Sequence, residues 1–189
     1  METSLSRHKP RRQRGFTLIE TMVAIIVLTI GLIGTAALMS QSVNMGAHAR
    51  YVSTAALLAS EKMEDLSRFP TGDQNLVPGG SLTADVAGYS DSVQISANNG
   101  NINESTTISG TTTLYTQQPD GTVTITPGAG LPAATPDMLT FDRRWVITLS
   151  PSVGGTTITG AHQITVLVIL NNQIFKETPV TYQTSLVHP

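Results

Sequence analysis

Cysteine is absent from the 189 residues, which excludes disulfide frameworks, cysteine-ligated zinc and thiol nucleophiles. Charge is scarce as well. Asp, Glu, Lys and Arg make up only 13% of the chain, too little for a disordered acidic or basic protein. No internal period marks a repeat array. Proline is missing from Arg11 to Arg68, whereas nine of the ten prolines lie at or after Pro70. Twelve of the sixteen glycines also fall within 70–189. A stretch free of chain breakers followed by a region dense in them predicts one long helix over 16–69 and a turn-rich β region over 70–189.

Motifs of enzyme chemistry are missing too. The sequence contains no GxSxG, P-loop, HExxH or GxGxxG pattern, and Gly128-Ala129-Gly130 runs into Leu131-Pro132 and reads as a loop. His8, His48, His162 and His188 lie far apart without ligand spacing and read as surface or incidental residues. No metal, cofactor or catalytic residue is expected, and the chain reads as non-enzymatic. Asp142, Arg143 and Arg144 read either as a binding patch or as the charged outer face of a strand. Asn103-Glu104-Ser105 fits a glycosylation sequon.

The charge that is present is unevenly placed. Arg7, Lys9, Arg11, Arg12 and Arg14 supply five of the eleven basic residues within the first fifteen positions, opposed only by Glu2. The remainder carries six basic and twelve acidic residues, a poor composition for a nucleic-acid binder. Next comes FTLIETMVAIIVLTIGLIGTAALM over 16–39, with the single charge Glu20. Such a helix is about 36 Å long, enough to cross a hydrocarbon core of about 30 Å. Its basic flank places the N-terminus in the cytoplasm and everything after the helix across the membrane.

A secretory signal peptide shares the basic start, but its apolar region spans about 7–15 residues; the run here is longer, although Thr35-Ala36-Ala37 resembles a weak cleavage site. A plain signal anchor is a second reading. Glu20 discriminates among them, because a carboxylate near the bilayer centre costs about 2.5–3.5 kcal/mol on insertion scales, and the next Lys or Arg along the helix is Arg50. One account leaves Glu20 at the interface, reaching water. The other cuts the chain after Gly15, freeing a positive α-amine on Phe16 with an ordinary pKa of about 7.7–8.0. That amine can pair with its own Glu20 or a neighbour's, and a pair between chains fixes their axial stagger.

Beyond the apolar run, Met45, Ala49, Val52, Ala56, Ala59, Met63 and Leu66 recur at intervals of four and three. They predict a narrow stripe on a continuing helix, with Arg50, Glu61, Lys62, Glu64 and Arg68 off it. In the β region, Val93 and Ile95 lead to a turn at Asn98-Asn99-Gly100, and Pro119-Asp120-Gly121 marks another within the threonine-rich 105–126. Phe141, Trp145, Ile147 and Leu149 suit a packed face, and QITVLVIL at 163–170 is apolar on both faces, as in a central strand. Asn171-Asn172 can turn it into QIFKETPVTYQTS, where Pro179 demotes that strand to an edge or an interrupted one. An antiparallel sheet packed on the helix, an α+β arrangement, is expected.

The run Arg14-Gly15-Phe16-Thr17-Leu18-Ile19-Glu20 after a basic leader resembles the prepilin N-terminus of type IV pilins and type II secretion pseudopilins. IGLIG at 30–34 and ALLASEKMEDL at 56–66 are similar to minor pilins of the type IV pilus modification protein PilV family, as, more weakly, are RRWVITL and QITVLVIL. The likeness is strong over 15–69, weak over 139–170 and absent over 70–138. It implies a pilin-like fold with a cleaved leader at 1–15, a long N-terminal helix at 16–69 whose part 16–39 crosses the membrane, and an extracytoplasmic β-rich head at 70–189. It implies cleavage by prepilin peptidase between Gly15 and Phe16, N-methylation of Phe16, and a role for Glu20 in assembly. The implied partners are prepilin peptidase, other minor pilins, the major pilin, the inner-membrane assembly machinery and the lipid bilayer. The implied location is the inner membrane as a single-pass protein with a periplasmic head, then the pilus at the cell surface. Major pilins usually bear a mid-helix proline, two C-terminal cysteines and a shorter leader; these departures point to a minor pilin or a pseudopilin. A membrane-tethered binding domain or hydrolase is the rival of another class.

Overall fold

The computed structural model describes residues 17–70, 72–171 and 180–188, with the backbone alone at Asn75, Val153 and His188. The chain divides into two compact units at Gly46/Ala47. The helix α1, Leu18–Ser67, contributes to both. In the described part of the first unit every residue is exposed, including Leu18, Ile25, Ile33 and Met39. Apolar side chains all round a helix leave it no single face to pack, so this stretch needs apolar surroundings of its own. Its most apolar 18 residues reach a mean hydropathy of 2.5, and the helix is long and apolar enough to cross a membrane. The last turn tightens: the amides of Arg68 and Phe69 donate to the carbonyls of Asp65 and Leu66, three residues back. Pro70, which cannot continue an α-helix, follows.

The second unit sets residues 47–67 of α1 against an antiparallel sheet. Its strands are β1 (Gly79–Gly80), β2 (Ser90–Ser96), β3 (Ile102–Ile108), β4 (Thr111–Gln117), β5 (Val123–Pro127), β6 (Met138–Leu149), β9 (His162–Leu170) and β10 (Thr181–His188). The order is β10-β9-β6-β2-β3-β4-β5, with β1 pairing β6, and every pairing is antiparallel. Two short strands, β7 (Ser152–Val153) and β8 (Thr156–Thr157), pair apart from it. A 3-10 turn spans Gln74–Leu76. The long N-terminal helix on an antiparallel sheet is the α+β, pilin-like arrangement expected from the sequence.

Local chemistry explains the hairpins. Asn98-Asn99-Gly100 turns β2 into β3, with the Gly100 amide donating to Ser96 O and the Asn99 side chain accepting from the Asn101 amide. At Pro119-Asp120-Gly121 the Asp120 carboxylate accepts from the Thr122 amide, an Asx turn that ends β4. The two-residue turn Ser109-Gly110, with φ of 50° and 79°, joins β3 to β4 and escaped the sequence reading. Positive φ at both positions matches a type I′ hairpin, for which Ser-Gly is a weaker signal than Asn-Gly. β10 is an edge strand, as expected; Pro179 and Asn172 lie outside the described residues.

The core joins Ala55, Leu58, Ala59, Met63 and Leu66 of α1 to Val93, Phe141, Trp145, Ile147, Ile164, Val166, Val168 and Leu170. The helical stripe is therefore displaced from the expected one. Met45 and Ala49 are exposed, and Ala55 and Leu58 take places that the sequence reading left off it. A helix lying on a sheet buries a face at least about 100° wide, wider than the single line of intervals traced in the sequence. Leu149 also departs from expectation: it is 51% exposed at the end of β6.

At Gly80 the backbone runs against β6. A Cβ there would collide with the Trp145 carbonyl oxygen, and φ is +93°, so only glycine fits. The Tyr89 ring closes over the same spot, its hydroxyl donating to Val77 O at 2.8 Å. The loop between α1 and β2 is thereby pinned to the sheet.

Candidate functional site

Gly15 and Phe16, the expected cleavage and methylation positions, lie outside the described residues. Glu20 lies in the first turn of α1 and is exposed. It is the only Asp, Glu, Lys or Arg between positions 17 and 46. Within 18–39 the other polar side chains are satisfied within the helix: Thr21, Thr29 and Thr35 each donate their hydroxyl to a carbonyl three residues back, at 2.8, 2.8 and 3.0 Å. Threonine can do this because its hydroxyl reaches its own preceding turn. A carboxylate has no proton to give and cannot be satisfied by helix carbonyls. No ion pair among the described residues involves Glu20. In hydrocarbon it is the one group of the segment whose partner must come from elsewhere.

The second unit holds a different arrangement of charge: the outer-face reading holds for Asp142 and Arg144 and is corrected for Arg143. The strand period sends neighbours to opposite faces. Arg143 points toward α1 in line with Phe141 and Trp145, 2% exposed, and belongs neither to a binding patch nor to an outer face. Asp142 and Arg144 take the other face: Asp142 accepts from Ser92 Oγ at 2.8 Å, and Arg144 Nε pairs with Asp85 at 2.7 Å.

Arg143 is buried because its neighbours supply the opposing charge. Its Nε and Nη2 reach the two oxygens of Asp91 at 2.6 and 3.0 Å, and Nη2 also reaches Glu104 at 2.6 Å. Lys62, which the sequence placed off the helical stripe, turns inward to pair with Asp91 at 2.8 Å. Its Nζ stands 4.3 Å from the centre of the Trp145 ring, a cation–π contact. Glu61 stands at the rim, 3.8 Å from Arg143 and 58% exposed. Burial opposes ionisation of Asp91, but Arg143 and Lys62 outweigh it and hold its pKa below the ordinary carboxylate value. For Glu104 burial prevails, with the charge of Asp91 added, and its pKa is raised. A binary reading of strand sequence cannot find this cluster, since Arg143 occupies an inward position that the pattern assigns to an apolar residue. The one available signal was the alternation Phe141, Arg143, Trp145.

One further expectation needs correction. His162 is buried, 4% exposed, at the start of β9, so it is not a surface residue. Asn103, which fits a glycosylation sequon, is also buried, 7% exposed, with its side-chain oxygen accepting from Thr116 Oγ1, and burial denies a glycan access to it. Among the described residues no group of three or more His, Asp or Glu is placed to hold a metal ion.

Residues 10–36 match the family described as the prokaryotic N-terminal methylation motif. This interval spans Gly15, Phe16 and Glu20 and the first part of the apolar helix, so the chain carries a prepilin-type N-terminal motif, which supports a type IV pilin-like or pseudopilin-type protein. The motif implies processing by prepilin peptidase and assembly with other pilins, and with the apolar helix it fits a membrane-anchored pilin. No curated protein and no solved structure matches the chain.

Proposed function

We propose that this prepilin-type chain matures into a non-enzymatic minor pilin of a type IV pilus, of the PilV kind. Prepilin peptidase removes residues 1–15, the amine of Phe16 is methylated, and residues 16–39 hold the subunit in the inner membrane with its β-rich head, 70–189, in the periplasm. On assembly Glu20 pairs with a terminal amine as the apolar helices of neighbouring subunits gather into a bundle. A methylated secondary amine keeps its positive charge, so it still serves as the partner of a carboxylate in hydrocarbon. The head meets partner minor pilins in a complex that primes the fibre.

The observation that carries this reading is Glu20: one carboxylate among residues 18–39, whose other polar side chains close on their own backbone, four residues from the amine that cleavage would create. An ordinary anchor gains nothing from such a group and bears its desolvation cost. The mass of the N-terminal peptide of the mature protein tests the reading. A peptide beginning at methylated Phe16 is expected. One retaining Arg11, Arg12 and Arg14, or one starting near Ala37, would overturn it.

A further inference from the structure

The face of the sheet that α1 covers continues past the covered strands. One cross-strand row runs through Leu170, Phe141, Val93, Glu104, Tyr115 and Ile125, from β9 to β5. Residues paired in this way share a face. The first three are buried, whereas Tyr115 and Ile125 are 37% and 58% exposed. The neighbouring row repeats the change: Leu139 and Ile95 pack on the core, while Ile102 and Val123, on either side of Gln117, stand 36% and 55% exposed. From β3 to β5 there are two strand spacings, about 10 Å, the breadth of one α-helix at about 10–12 Å. The sheet thus leaves its core face open over the width of a helix.

The inner border of this open face is charged unevenly. Glu61, Asp91 and Glu104 stand against Lys62 and Arg143, three carboxylates against two cations. Both cations turn inward, with side chains 15% and 2% exposed, while the members that reach solvent most are acids, Glu61 at 58% and Glu104 at 33%. At Glu104 burial and the charge of Asp91 raise the pKa by more than Arg143 and Lys62 lower it. A second copy is a poor supplier of the missing cation: residues 47–189 contain six basic and eleven acidic residues, and Lys62, Arg68, Arg143 and Arg144 are already paired within the chain.

We infer that the open β3–β5 face is the docking surface for an amphipathic helix of a different protein, whose apolar side covers Ile102, Tyr115, Val123 and Ile125 and whose Lys or Arg enters between Glu61 and Glu104. The surface lies wholly in the second unit, so this inference is independent of the role of Glu20.

Photo-crosslinking in the full-length, membrane-inserted protein tests it. A photoreactive amino acid replaces Ile125 on the open face or Thr124 on the opposite face of the same strand, and the cross-linked peptide is sequenced by mass spectrometry. The expected partner peptide has apolar residues three and four apart with a Lys or Arg among them, captured about tenfold more from position 125 than from 124. Glu61→Gln, at an exposed helix position, is expected to lower that yield about tenfold, the equivalent of one lost charge pair, without moving the thermal midpoint. Equal yields at the two positions, adducts with lipid or with another copy of the chain, a partner peptide without a cation, or indifference to Glu61→Gln would each overturn the inference.

Discussion

Glu20 and Asp91 are both carboxylates set among apolar neighbours, one in each unit of the chain. Asp91 meets its partners inside the fold: Arg143 and Lys62 stand at 2.6 and 2.8 Å and keep it ionised. Glu20 has no cation among the described residues of its own unit, which contains no other charged residue from 17 to 46. The difference separates two uses of a costly group. A carboxylate paired within the fold strengthens one conformation, whereas under the proposed function Glu20 takes its partner from a terminal amine on assembly. The two should therefore fail in different assays, and the largest effect belongs to Glu20. Glu20→Ala is expected to abolish incorporation into sheared fibres on immunoblots while the protein stays in the membrane fraction. The thermal midpoint of the head should move by no more than a surface substitution allows, about 0.5 kcal/mol. Fibres that still contain the variant would break the comparison.

The converse substitution sharpens it. Asp91→Asn leaves Arg143 buried with a single close carboxylate, Glu104, and breaking such a pair typically costs about 3–5 kcal/mol. The head should lose that much in denaturant titrations of the detergent-solubilised protein, with leader processing unaffected. Replacing both members, as in Asp91→Leu with Arg143→Met, should recover much of the loss, because two charges then no longer have to be desolvated. A double variant no better than the single one would show that the cluster holds α1 to the sheet by more than mutual neutralisation.

Gly80 isolates the contribution of the loop after the helix. Gly80→Ala forces a side chain against the Trp145 carbonyl and strains a left-handed backbone, an expected loss of about 3 kcal/mol. Gly31→Ala meets open space within the chain and should leave the isolated protein as stable or slightly more so. Comparing the two midpoints shows whether the second unit alone responds to backbone crowding.

How much of this could be read from the sequence follows from which physical rule governs each part. The helix, the Asn98-Asn99-Gly100 and Pro119-Asp120-Gly121 turns and the edge position of β10 obey local rules, and the proline and glycine distribution announced them. The order of the strands does not, because β6 pairs with β2 and β9 across long intervals that no local signal marks. Arg143 and Lys62 were misplaced for a related reason. Charge predicts exposure only on average, and burial becomes tolerable once Asp91 stands opposite, a fact settled by the register between β2 and β6. The prepilin-type motif was legible since its signal lies within seven consecutive residues, Arg14 to Glu20.

The smallest effect is a slope, and it distinguishes the carboxylates of the cluster from each other. The folded-state pKa of Asp91 lies below its ordinary value, so its contribution is present above about pH 3.9 and is lost as pH falls through the folded value. Asp120 and Asp137, held low by hydrogen bonds from Thr122 and Thr135, add to the same acid-side loss. Glu104 runs the other way. Its folded pKa is raised, so the stability it lends is complete below about pH 4.3 and declines as pH rises through the folded value. Acidification from neutrality should first stabilise the head slightly and then destabilise it. Glu104→Gln keeps an oxygen for Arg143 and removes the titration. Its midpoint at neutral pH should equal or exceed that of the parent, and the initial rise should vanish while the fall below about pH 4 persists. A rise that survives Glu104→Gln in thermal midpoints taken across this range would assign it to another group, and Glu104 would then be as well compensated within the chain as Asp91.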